Sequence, residues 1–132
     1  MANKTLAAVL AALLMFSCSS QHKPTPEEMA GRTAKLYYDY LLEGKYEAYV
    51  DGLYQPDRIP ESYRQQLITN AKMFVGEQKE EHRGIDSVKV VTAKADTVKR
   101  IGEAYLSICF GDSTREEIVV PMVYHNGVWM MR

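Results

Sequence analysis

Apolar positions recur with helical spacing over residues 25–83 and alternate as in strands from residue 85 onward. Met29, Thr33, Leu36, Tyr37, Tyr40 and Leu41 share one side of a helical wheel and predict a first helix. Thr25-Pro26-Glu27-Glu28 opens it: a capping hydroxyl, proline at the first helical position and an acid three residues after the cap. Gly44 stops it. Tyr46, Tyr49 and Val50 predict a short second helix over Lys45–Asp51, ended by Gly52, and Gln55-Pro56-Asp57-Arg58 reads as a turn. A third helix begins near Pro60-Glu61, with Tyr63, Leu67, Ile68, Ala71, Phe74 and Val75 inward and a charged end closed by Gly84.

The period then changes to two. Val88, Val90 and Thr92 predict one face of a strand over Ser87–Ala95. Ala104, Leu106, Ile108 and Phe110 alternate with Tyr105, Ser107 and Cys109 in a second strand, and Arg115–Tyr124 reads as a third. Asn126-Gly127 is the signal of a tight hairpin leading into a last strand, Val128–Met131. Helices segregated from a run of antiparallel strands predict an α+β domain: three N-terminal helices packed on a curved, mainly antiparallel four-stranded sheet.

Ahead of this pattern, Lys4 precedes an unbroken apolar run, Leu6–Phe16, and then small residues at Ser17-Cys18-Ser19-Ser20. The run is about half of the roughly twenty residues that a bilayer-spanning helix needs, so it reads as a secretory signal peptide over residues 1–17. Leu14-Met15-Phe16-Ser17-Cys18 resembles a bacterial lipobox, although Met15 and Phe16 depart from its commonest form. The resemblance implies acylation of Cys18, a tether over residues 18–24 and one domain over 25–132. It implies a lipid-anchored protein of the cell envelope, and the lack of an acidic run after Cys18 points to the outer membrane, facing the periplasm. The partner of Cys18 is then the bilayer. Cys109 is left without a disulfide partner and is expected to be buried and inert.

Composition narrows the chemistry. The chain has 132 residues, 16 Lys+Arg against 17 Asp+Glu and a net charge of −1, which excludes the basic stripe of a nucleic-acid binder. Two cysteines and three scattered histidines (His22, His82 and His125) offer no metal-ligand spacing, so no metal and no cofactor are expected. His82 reads as a solvated helix cap, and Trp129 as a core residue closing the sheet. Gly-x-Ser-x-Gly is absent, and the Ser-x-x-Lys match, Ser20-Gln21-His22-Lys23, falls in the polar tether. The remaining candidates are tyrosines, six of the nine lying between Tyr37 and Tyr54. Tyr37, Tyr40 and Tyr105 are the candidate pocket residues, and the competing reading is that such rings fill the gap between helix and sheet.

The order helix, Gly44-Lys45-Tyr46-Glu47-Ala48-Tyr49, Gln55-Pro56-Asp57, a helix with Tyr63-Arg64, Gly84-Ile85-Asp86-Ser87-Val88 and Asn126-Gly127-Val128-Trp129-Met130 resembles a family of small bacterial lipoproteins. That family has no assigned function and was at one time labelled lumazine-binding, a label that no residue here supports. It is similar to the nuclear transport factor 2-like, or cystatin-like, superfamily. The resemblance implies a cone of helices on a curved sheet, a pocket between sheet and first helix, and pairing of copies through the sheet as a homodimer. No catalytic residue carries over.

Without a catalytic constellation, the sequence favours a non-enzymatic envelope domain that binds a protein or peptide partner. The alternative is a binder of a small apolar ligand in a tyrosine-lined pocket. A proton-transfer enzyme, the third reading, requires a carboxylate or histidine inside the cone within reach of a tyrosine.

Overall fold

The computed structural model describes residues 22–132. The expected signal peptide over 1–17 and the expected acylation site Cys18 lie outside the described residues. Three helices, α1 (Pro26–Leu42), α2 (Tyr46–Asp51) and α3 (Glu61–His82), precede four strands, β1 (Ile85–Asp96), β2 (Ile101–Phe110), β3 (Arg115–His125) and β4 (Val128–Met131). The strands form one antiparallel meander in the order β1-β2-β3-β4, so each pairs with its neighbour in sequence. The α+β reading holds.

Local chemistry explains the boundaries. The Thr25 hydroxyl accepts a hydrogen bond from the Glu28 N–H, and Pro26 occupies the first turn of α1. At the end of α3 the left-handed position falls on Arg83 (φ 60°), with Gly84 following at φ 87°. Asn126 and Gly127 both have positive φ, 48° and 81°, the conformation a two-residue hairpin turn needs.

The core lies between α1 and one face of the sheet. Ala104, Leu106, Ile108 and Phe110 of β2 alternate into it, joined by Val88, Val120, Met122, Trp129 and Met131. Each large side chain buried this way contributes about 1.5–3 kcal/mol. The α1 face turned to the sheet differs from the one that the large apolar residues predict. Ala30, Gly31, Ala34 and Leu41 are buried, whereas Met29 and Leu36 are 42% and 46% exposed. Close approach is the cause. A Cβ on Gly31 would stand 3.0 Å from Val90 Cγ1 and 3.4 Å from Ala93 Cβ, so only small residues let helix and strand meet.

A bulge in β1 supports that contact. The register with β2 shifts between Val90 and Thr92, which turns Thr92 to the outer face beside Tyr105 and brings Ala93 under α1. The uninterrupted Val88-Val90-Thr92 alternation is therefore corrected. Helix α3 is held more lightly. Ile68 and Ala71 are its buried residues, and Tyr63, expected to face inward, is half exposed.

The last strand also ties back to α2. Leu53 forms a parallel bridge with Met131; the Met131 N–H donates to the Gly52 carbonyl at 2.8 Å, and the Tyr54 N–H to the Met131 carbonyl at 2.7 Å.

Candidate functional site

A groove of about 1020 Å³, open to solvent, runs between the start of α1 and the ends of the two hairpins. Its apolar lining is Met29, Tyr37, Tyr124, Val128 and Trp129. Three chain segments meet there: residues 23–37, the β1–β2 turn with Thr97 and Arg100, and the β3–β4 hairpin from Tyr124 to Trp129.

The floor follows from the hairpin register. Tyr124 lies opposite Trp129 across the Asn126-Gly127 turn, and their rings pack at a tilt with centroids 5.2 Å apart. Trp129 is buried at 5% exposure, its ring over Gly102, where a Cβ would come within 3.2 Å of the indole. This bears out the expected core role, and the indole edge also lines the groove. The Tyr37 hydroxyl donates to the Trp129 carbonyl at 3.4 Å. Burial, with Tyr40 nearby, raises the Tyr37 phenol above its ordinary pKa, so it remains a neutral donor in water.

The other two candidate tyrosines are placed elsewhere. Tyr40 packs against Tyr37 at 6.4 Å, outside the groove lining, with the Lys45 ammonium 5.7 Å from its ring. Tyr105 projects from the opposite face of the sheet, because strand alternation that buries Ala104 and Leu106 must turn Tyr105 outward. Its hydroxyl donates to Glu103 at 2.6 Å, and Lys94 sits over its ring. Tyr105 is thus separated from Tyr37 and Tyr40 by the sheet. Tyr38 and Tyr49 meet edge to face at 5.8 Å against the core, where burial raises both phenols. Those rings fill the gap between helices and sheet.

Cys109 also lies on the outer face, half-buried, where full burial was expected. His82 is no solvated cap: it stacks on Phe110 and meets Asp112.

The groove's charge is one-sided. Lys23 and Arg100 line it together with Thr25, Thr33, Thr97 and Asn126, and no carboxylate or imidazole belongs to the described lining. Among the described residues neither cation makes an ion pair. The backbone of Arg100 is fixed by the turn. Its φ is 58°, its carbonyl accepts the Tyr124 N–H at 2.8 Å, and the Asp96 carboxylate accepts from the N–H groups of Val98 and Lys99. Among the described residues no cluster of three or more His, Cys, Asp or Glu could hold a metal ion, and no helix is long and apolar enough to cross a membrane.

The sequence alone left Met29, Tyr124, Lys23 and Arg100 out of the site. The Tyr124–Trp129 pair was recoverable from the Asn-Gly turn, since a two-residue loop fixes which residues face each other.

Among solved structures, the fold is similar to a Campylobacter jejuni protein described as an NTF2-like transpeptidase. The TM-score is 0.62 at 10% identity, over 76% of this chain and 94% of that one. A second neighbour is Aln2 from a Streptomyces species, with a TM-score of 0.46 at 12% identity, over 84% of this chain and 90% of that one. The sequence matches no family model and no curated protein. The fold is therefore of the nuclear transport factor 2-like type. At this identity the likeness extends to the fold alone.

Proposed function

We propose that this protein is a lipid-anchored component of the bacterial cell envelope whose domain is a binding module with the α1–hairpin groove as its site. The observation that carries the reading is an open groove of about 1020 Å³ floored by Met29, Tyr37, Tyr124 and Trp129. Its volume is at the upper end of what ligand sites occupy, about 300–1,000 Å³, and it is rich in rings with hydroxyl groups at the edge. The lining supplies apolar contact and hydrogen-bond donors, which supports the holding of a molecule. Anchoring rests on Cys18 following the apolar run Leu6–Phe16, and the periplasmic side of the outer membrane is the proposed location.

The test is saturable binding of a neutral apolar fluorophore, N-phenyl-1-naphthylamine, to the full-length protein in phosphatidylcholine nanodiscs, read by energy transfer from Trp129. Met29→Glu places a charge at an exposed position of the lining and is expected to abolish the signal. Transfer that is unsaturable, or unchanged in the variant, removes the groove as the site.

A second reading, a protein partner on the outer face of the sheet, is favoured by Val119 and Ile101, both exposed on the face that carries Tyr105. Crosslinking from Val119 that recovers one discrete partner would support it.

A further inference from the structure

Taking the groove as the binding site, we propose that its occupant is a single-chain amphiphile with an anionic head, drawn from the bilayer. The chain lies on the aromatic floor, and the carboxylate or phosphate is held by Arg100 and Lys23. The protein as a whole is slightly acidic at −1, yet the described groove lining holds two cations and no acid. That local inversion selects the charge of the occupant.

The two cations differ in what they offer. A guanidinium presents a planar fork that matches two oxygens of a carboxylate or phosphate, whereas an ammonium acts as a point charge. Arg100 projects from a turn locked by Asp96 and by the Tyr124 N–H, so its starting point is set before any ligand arrives. Asp96 accepts from its own turn, Glu28 lies 3.1 Å from His22 and 3.7 Å from Arg32, and Glu27 is outside the lining. The body of the ligand is set by Met29, Tyr37, Tyr124, Val128 and Trp129, which supply the apolar contact of the lining.

Chain length points to the source. Lys23 stands five positions after Cys18, and five extended steps of chain reach at most about 18 Å. An acylated Cys18 thus keeps the Lys23 edge of the groove within that distance of the headgroups. Single-chain lipids there need travel no farther than the tether is long.

The experiment uses the full-length protein in phosphatidylcholine nanodiscs, with quenching of Trp129, the one tryptophan in the chain, by brominated probes of equal chain length. The probes are a fatty acid, a fatty alcohol, an alkyltrimethylammonium and a lysophosphatidylglycerol. Charge-assisted hydrogen bonds predict half-saturation for the anionic probes at least about tenfold lower than for the alcohol. Arg100→Gln and Lys23→Gln are expected to raise half-saturation for the anionic probes and so narrow that gap, with the thermal transition unchanged. Preference for the fatty acid over the lysolipid would assign the head to a carboxylate, and the reverse to a phosphate. Equal quenching by alcohol and anions, or tighter quenching by the trimethylammonium, overturns the anionic head and leaves the groove reading intact. No saturable quenching by any probe removes both.

Discussion

The imidazole of His82 and the carboxylate of Asp112 meet at 2.9 Å, joining the last turn of α3 to the β2–β3 turn. The main chain reinforces the join: the Asp112 N–H donates to the His82 carbonyl at 3.0 Å, and the Gly111 N–H to the Gly84 carbonyl at 2.9 Å. The imidazole also stacks on Phe110, with ring centroids 4.4 Å apart. A helix with two buried residues is thus fastened at its end by polar contacts.

This join makes stability depend on acid. Hydrogen bonds from the Thr114 hydroxyl, then from His82, then from the Thr114 N–H hold the Asp112 pKa down to about 2. Unfolded, the group titrates near 3.9. Because the folded pKa is the lower one, the contribution is complete above about pH 4 and is lost as pH falls through 2. Asp112→Asn should therefore melt below the wild type at pH 6, with the gap closing as both are acidified to pH 2. A gap that stays constant with pH would show that the carboxylate charge is not its source.

Trp129→Ala removes a buried ring beneath which Gly102 has no side chain to fill the space. The expected loss is about 3–5 kcal/mol in denaturant unfolding. A loss below about 1 kcal/mol would mean that the indole bears little of the packing.

Gly52→Ala isolates space from backbone conformation. Gly52 has φ −79° and ψ −8°, values any residue adopts, but a Cβ there would lie 2.5 Å from the Tyr37 ring. The ring must move, so the variant should lose about 1–3 kcal/mol and weaken fluorophore binding in the groove. Unchanged binding would mean that Tyr37 does not shape the floor.

Cys18→Ala tests the anchor. The variant is expected in the soluble fraction after cell lysis, with the unaltered protein in the membrane fraction. Continued membrane association would refute acylation at Cys18 as the attachment.

The legible features were those carried by local signals. Thr25-Pro26 marks the start of α1, and Asn126-Gly127 fixes the β3–β4 register, because each acts within a few residues of chain. The face of α1 was misread because large apolar residues dominate a periodicity argument. Ala30, Gly31 and Ala34 are selected by how near the sheet lies, a distance that the chain does not write locally. The bulge at Val91 reverses the facing of Thr92 for the same reason. For the site, Tyr37 was readable from its helix, while Arg100 joins it only when the distant β1–β2 turn closes on the start of α1, beside Lys23.

The pairing of Met131 with Gly52 and Tyr54 has a consequence for how the molecule is made. A chain emerging N-terminus first, from a ribosome or through an export channel, has α1, α2 and most of the meander outside before residues 128–131 appear. Until then the segment after α2 lacks its strand, and the space that Trp129 and Met131 fill stays open. Closure of the core therefore waits for residues 128–131, and the elements made before them stay incompletely packed until that strand arrives.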